Sequence, residues 1–206
     1  MSNTPASTVT AEEIFERRVA PLDYLVEDAG TIAVACHAMA ARFHSGGTLV
    51  VFGNGAASTD AQHVAVEFVH PVIVGKRALP AISLTADVAT VTGIAGAEGF
   101  DEIFAHQLRH LATSQDIALG ISPDGNCPNV LRGLATAREL DLLTIALVGG
   151  DGGRIASGQA ADHIVVARSD DPRVIKEVHV TTYHVLWELV HVFFDHPGLL
   201  APEVIS

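Results

Sequence analysis

Thr48-Leu49-Val50-Val51-Phe52, running into Gly53-Asn54-Gly55-Ala56-Ala57-Ser58-Thr59-Asp60, is the stretch that decides the fold. Five consecutive apolar or β-branched residues read as a strand buried on both faces, which belongs in a parallel sheet. The glycines and small residues after it let the chain turn tightly, and the pattern that follows is helical. The same sequence of events recurs. Leu79 to Leu84, Ile117 to Ile121, Leu143 to Val148 and His163 to Val166 read as further strands, separated by helical stretches of crossover length. Ser122-Pro123-Asp124-Gly125 and Gly149-Gly150 repeat the hand-over after the third and fourth runs. Alternation of this kind predicts a three-layer α/β domain with five parallel strands.

The flanks are helical. Ala11 to Phe43 carries apolar positions at helical spacing and predicts one long or two shorter N-terminal helices, the segment from 11 to 44. Pro172 to Asp195 predicts the last helix, with proline in its first turn and Pro197-Gly198 as its stop. No repeat, low-complexity tract or linker divides the chain, so 1–206 reads as one domain with its α/β core at 46–195.

The chain has 206 residues, 49% hydrophobic and 17% charged, enough to bury a full core and too apolar to remain disordered. Twelve basic against twenty-four acidic side chains give a net charge of −12, which repels phosphate backbones and anionic lipid. Nucleic-acid and membrane partners are therefore not expected. Two cysteines, Cys36 and Cys127, suit a reducing compartment, and Met1 to Pro5 lacks a basic, apolar secretory start. A cytoplasmic protein is the expectation.

In open parallel sheets ligands bind beyond the carboxyl ends of the strands. That draws attention to Gly53, Asn54, Gly55, Ala57 and Ser58 in the first loop, and to Ser122, Asp124, Asn126 and Cys127 in the second. His63 and Glu67 lie four residues apart on one helix, and His184, Glu188 and His191 form a second stripe at helical offsets. Such stripes suit metal ligation or proton handling, and equally a polar helix face or a subunit contact. Cys127, at a helix start, reads either as a reactive thiol or as a small buried residue.

Taken together, Gly53-Asn54-Gly55, Asp60-Ala61-Gln62-His63-Val64-Ala65-Val66-Glu67-Phe68, Leu79-Pro80-Ala81-Ile82, Gly120-Ile121-Ser122, Gly125-Asn126, and Glu177-Val178-His179 with His184 resemble the phosphoheptose isomerase branch of the sugar isomerase (SIS) domain family. The resemblance runs from about Gly46 to Asp195. It implies a flavodoxin-like sheet, a homotetramer with sites at subunit interfaces, and aldose–ketose isomerisation through an enediol. Glu67 would be the base and His184 the acid. A zinc or other divalent ion, where present, would be held at the positions matching His63, Glu67 and His184.

Several residues depart from the family pattern. Lys176 stands where the fourth metal position is usually Gln, and a protonated amine has no lone pair to give. The usual Ser-Thr-Ser-Gly-Asn-Ser loop is Ser122-Pro123-Asp124-Gly125-Asn126-Cys127. Ala57 replaces a serine, Gly96-Ala97 replaces Asn-Asp, and Pro71 falls near a customary arginine. These changes imply an altered substrate, a different phosphorylated or otherwise acidic sugar. Lys176 then either supplies positive charge to that ligand or faces solvent beside Glu177 or Asp171. Loss of so many phosphate contacts also fits a noncatalytic SIS scaffold that binds ligand or protein, and the metal site has an alternative form that recruits Glu188 or His191.

Overall fold

The computed structural model describes residues 9–196 and Gly198; the Met1 to Pro5 start and Pro197 lie outside the described residues. Five parallel strands, β1 (Leu49–Gly53), β2 (Ala81–Ser83), β3 (Ile117–Ser122), β4 (Leu143–Gly149) and β5 (His163–Ala167), form one sheet in the order β2-β1-β3-β4-β5. This is the doubly wound arrangement, whose chain direction across the sheet reverses between β1 and β3. Leu49 pairs with Ile117 and Gly53 with Ile121, so the loops after β1 and β3 leave the sheet side by side.

The helices are α1 (Ala11–Glu27), α2 (Ala29–His44), α3 (Ala56–Val69), α4 (Val88–Ala97), α5 (Ile103–Leu111), α6 (Pro128–Glu139), α7 (Gly153–Ser157) and α8 (Pro172–Asp195). Alternate strand residues divide between two cores. Leu49, Val51, Leu119 and Ile145 pack with α1, α2, α3 and α8, whereas Val50, Phe52, Ala118 and Ala146 pack with α4 to α7. The three expected layers are therefore present.

The N-terminal segment forms two helices. The first begins on a capping box in which the Glu13 amide donates to Thr10 Oγ1 at 3.2 Å and the Thr10 amide donates to Glu13 Oε2 at 2.9 Å. The chain then breaks at Asp28. β2 is shorter than the Leu79 to Leu84 run: it sits at the sheet edge, and Pro80 has no amide to give to a ladder. Leu79 and Leu84 are nonetheless buried on either side of it.

The last helix carries the logic of the site in its sequence. Val174, Val178, Thr182, Leu186 and Val190 are buried at intervals of four, and beside them runs a second buried row, Ile175, His179, Tyr183, Trp187 and His191. Asp171 starts the helix by accepting the Arg173 amide at 3.0 Å. Among the described residues no helix is long and apolar enough to cross a membrane.

Candidate active site

Two helices that are distant in sequence meet along a polar seam. On α3, Asp60, Ala61, Val64 and Phe68 face inward, which sets His63 and Glu67 one turn apart at the helix margin. On α8, His184 follows Tyr183 and sits outside the buried ring-bearing row. Glu67 Oε1 lies 3.1 Å from His63 Nε2 and 3.0 Å from His184 Nε2. The side chains of the two histidines are 46% and 45% exposed, while that of Glu67 is 14% exposed. A largely sheltered carboxylate thus lies beneath two open imidazoles.

A carboxylate oxygen can only accept, so both facing Nε2 atoms carry hydrogens in this arrangement. His63 Nδ1 is 2.8 Å from the Tyr183 hydroxyl. Burial is the largest influence that pushes the Tyr183 phenol well above its ordinary range, reinforced by Asp60 and Glu67, so it remains an O–H. Trp187 donates its indole N–H to the Glu67 backbone carbonyl at 3.0 Å, and His191 contacts the Trp187 and Arg77 carbonyls with its two ring nitrogens at 2.8 and 2.9 Å. His191 is therefore fully engaged by backbone and cannot join the metal set, which corrects that alternative. Glu188 lines a 240 Å³ depression with Glu67, Val72, His184 and Trp187, but lies outside the converging triad.

His63, Glu67 and His184 each present a ligand atom within 4.8 Å of the others. Two imidazole nitrogens and one carboxylate oxygen, with one side open, fit the three-ligand set of a catalytic divalent cation. Lys176 does not complete it. Its ammonium reaches Asp60 Oδ1 at 2.6 Å, the Ala56 carbonyl at 3.1 Å and Thr59 Oγ1 at 3.4 Å, an outlet for each of its three hydrogens. The expectation that it faces solvent or pairs with Glu177 or Asp171 is corrected, because Arg18 binds Glu177 and Arg173 binds Asp171.

The loops behave differently from one another. Gly53 permits the close approach of β1 to its neighbours, since a Cβ there would fall 2.8 Å from the Ile121 carbonyl. Gly55 holds a φ of 56° at the turn into α3. Asn54 exchanges two hydrogen bonds with the buried Asn129 of α6, at 2.6 and 2.9 Å, and so ties the two loops together across the switch point. Ser58 donates to the Gly55 carbonyl at 2.7 Å. Ala57 is part of the core beneath the loop, so it does not line the site.

In the second loop Ser122 is completely buried, 3.4 Å from Asp124 Oδ1. The Asn126 amide donates to the same Asp124 oxygen at 2.9 Å, and Asn126 bridges the Asp124 carbonyl and the Arg154 amide at 2.9 and 3.1 Å. Asp124, Asn126 and Cys127 line a cleft of about 420 Å³ with Asp151, Asp170 and Ile175. This cleft shares no lining residue with the depression beside Glu67. Sequence reasoning missed Asp60, Asn129, Tyr183 and Trp187; their partners are 75 to 120 residues away, and spacing carries no trace of such pairings.

A family model for the SIS domain matches residues 7–149, and the chain belongs to the SIS-domain family. It is 38% identical over 182 residues to a phosphoheptose isomerase of Desulfovibrio desulfuricans, covering 87% of this chain and 85% of that one. The corresponding enzyme of Aquifex aeolicus is 40% identical over 166 residues, 81% of this chain and 82% of its own. Among solved structures, a phosphoheptose isomerase from Francisella tularensis superposes with a TM-score of 0.80 at 32% identity, covering 88% of this chain and 96% of that one.

Proposed function

We propose that this protein isomerises a phosphorylated or otherwise acidic sugar between ketose and aldose, as the names of its relatives suggest, with Glu67 as base and His184 as acid. The observation that carries the reading is the 3.0 Å contact of Glu67 with His184, on a ring whose other nitrogen has no partner among the described residues. Glu67 Oε1 holds two imidazoles and Oε2 holds none, so Oε2 is the oxygen placed to take a proton from carbon.

The balance is simple. Glu67 removes a proton from C1 of the ketose, the C1–C2 double bond forms, and His184, entering the cycle as an imidazolium, gives the proton on its unpartnered nitrogen to O2. Glu67 then returns the carbon-bound proton to C2 while the imidazole recovers a proton from O1, leaving the C1 aldehyde and both groups as they began. General acid–base assistance of this kind contributes about 10²- to 10⁴-fold per group. His63, Glu67 and His184 would hold a divalent cation such as zinc, whose chemistry when bound is to stabilise negative charge on the enediol oxygens.

The substrate is proposed to differ from the family's usual sedoheptulose 7-phosphate. Asp124 accepts the Asn126 amide within the loop that would otherwise cradle phosphate, and Pro123 has no amide to offer. A homotetramer in the cytoplasm remains part of the proposal, by resemblance to the family. The buried Ser122 and Ala57 favour a second reading, a noncatalytic scaffold.

Turnover across ketose and aldose phosphates separates the two readings. Glu67→Gln and His184→Gln are each expected to reduce kcat by about 10²- to 10⁴-fold in a folded protein. Activity that survives both substitutions, or none on any sugar phosphate, would sink the isomerase. Asp124→Ser should raise kcat/KM for sedoheptulose 7-phosphate; no gain would remove the argument for a changed substrate.

A further inference from the structure

His63 and His184 are open to whatever ligand arrives, yet the group that orders His63 is buried. We propose that Tyr183 is a positioning residue whose hydroxyl, through one hydrogen bond to His63, fixes the edge of that imidazole that faces Glu67. The proposal builds on the isomerase reading above, but its physical content is the orientation of a ring.

His63 is nearly half exposed, so packing alone does not hold its ring. Rotation by half a turn about the Cβ–Cγ bond would present carbon edges to both partners and lose both contacts, the 2.8 Å one to Tyr183 and the 3.1 Å one to Glu67. Tyr183 cannot follow such a movement. It is 1% exposed in the main core, and one turn further along α8 the Trp187 indole is bonded to the Glu67 carbonyl. The tyrosine ring meets that of His63 edge-on, at 5.4 Å and 80°.

A hydroxyl both donates and accepts, which makes this contact serve two proton arrangements. Without a metal, His63 carries its hydrogen on Nε2, facing Glu67, and Tyr183 donates to the bare Nδ1. When Nε2 gives its lone pair to a cation, the hydrogen resides on Nδ1 and the phenol oxygen accepts it; orienting partners of this kind are commonly worth about 10- to 100-fold in metal affinity or activity. Without the cation Glu67 Oε1 is pinned between two imidazoles and Oε2 is free; with it, the same nitrogen edge of His63 would be held towards the cation by Tyr183. With His63 released, only His184 would restrain the carboxylate.

The test uses the full chain stripped of metal, with the ring nitrogens of His63 read by long-range proton–nitrogen NMR and assigned by their loss in His63→Gln. The wild type is expected to show a single Nε2–H tautomer and Tyr183→Phe a mixture of both. In parallel, Tyr183→Phe should weaken cobalt(II) binding, read from its absorption spectrum, and lower kcat about 10- to 100-fold with KM unchanged, a split that loss of packing alone does not produce. An Nδ1–H or averaged ring in the wild type overturns the proposal, even if Tyr183→Phe does not fold. So do an unaltered tautomer and unaltered cobalt affinity in the variant. If the tautomer and cobalt effects appear but no sugar phosphate is turned over, the isomerase reading fails and the positioning role stands.

Discussion

Replacing Lys176 by methionine keeps an unbranched side chain of nearly the same reach and deletes its ammonium, which isolates the ion pair with Asp60. The carboxylate of Asp60 is 7% exposed and the lysine 41%, so the acid is buried and the base is half in water. Breaking a fully buried pair by removing one partner costs about 3–5 kcal/mol, and an exposed pair is worth about 0–1. The intermediate setting points to about 1–3 kcal/mol. The ammonium also holds the Ala56 carbonyl and Thr59 in the first turn of α3, so the loss is concentrated where α8 joins that helix. For a chain of this size, 2 kcal/mol corresponds to about 4–8 °C in Tm. Urea unfolding of the wild type, Lys176→Met, Asp60→Asn and the double variant gives the coupling between the two groups, expected at about 1–2 kcal/mol. Additivity within about 0.5 kcal/mol would refute the pair as a structural tie. So would unchanged stability of Lys176→Met accompanied by a large rise in KM, because the ammonium would then be facing substrate.

Further outcomes follow from the structure. Asn54→Ala strands the amide of Asn129, which is 1% exposed, and should cost about 1–3 kcal/mol in denaturant unfolding. Gly125→Ala should destabilise by at least about 2 kcal/mol, since φ is +68° and the new Cβ would fall 1.9 Å from the Gly152 carbonyl oxygen; Gly96→Ala, in helix α4 with no atom within 4 Å, should stabilise by about 0.4–1 kcal/mol in the same assay. The stability profile should decline at both ends of the pH range. Arg173 holds the Asp171 carboxyl below its ordinary 3.8, so the unfolded chain binds that proton first and stability is lost as pH falls past 3.8; burial pushes the Cys36 thiol from 9.0 up to about 12, so the unfolded chain ionises first and stability is lost from pH 9.0 towards 12. Unfolding midpoints of Cys36→Ala should decline less on the alkaline side, the remainder coming from the raised Tyr183 phenol.

β1, β3 and β4 were legible because each is buried on both faces and therefore written as a continuous apolar run; the edge strands are less covered, β5 half-buried and β2, with Pro80 before it, partly exposed and shorter than its run. The site was legible in part. Spacing places His63 beside Glu67, because four residues make one helical turn, but nothing in it brings His184 to the same oxygen across 117 residues. That expectation came from the family resemblance. Lys176 shows the limit most clearly: its sequence neighbours Glu177 and Asp171 are acidic and invite a local pair, yet both are taken by arginines, and the lysine reaches a buried aspartate on another helix. Tyr183, between Thr182 and His184, carries no mark of its role in the sequence. It is core, and it also carries the hydroxyl that contacts His63.

The second loop shows why an altered residue need not leave a gap. A carboxylate placed among amides at the start of a helix takes up the role that an incoming anion would have. Asp124 has done this: one oxygen accepts the Asn126 amide and approaches the Ser122 hydroxyl, while the Gly125 amide turns back to the Ser122 carbonyl at 3.4 Å. The loop is thereby satisfied from within, and its negative charge adds to Asp151 and Asp170 along the adjoining cleft. A phosphate dianion approaching it would have to displace an internal hydrogen bond and meet a like charge, two costs that the carboxylate and imidazoles of the α3–α8 seam do not share. On the proposed isomerase reading, the chemistry of the seam and the specificity of the loop are separable. Asp124→Ser should change which sugar is used, whereas Glu67→Gln should lower kcat about 10²- to 10⁴-fold for every one.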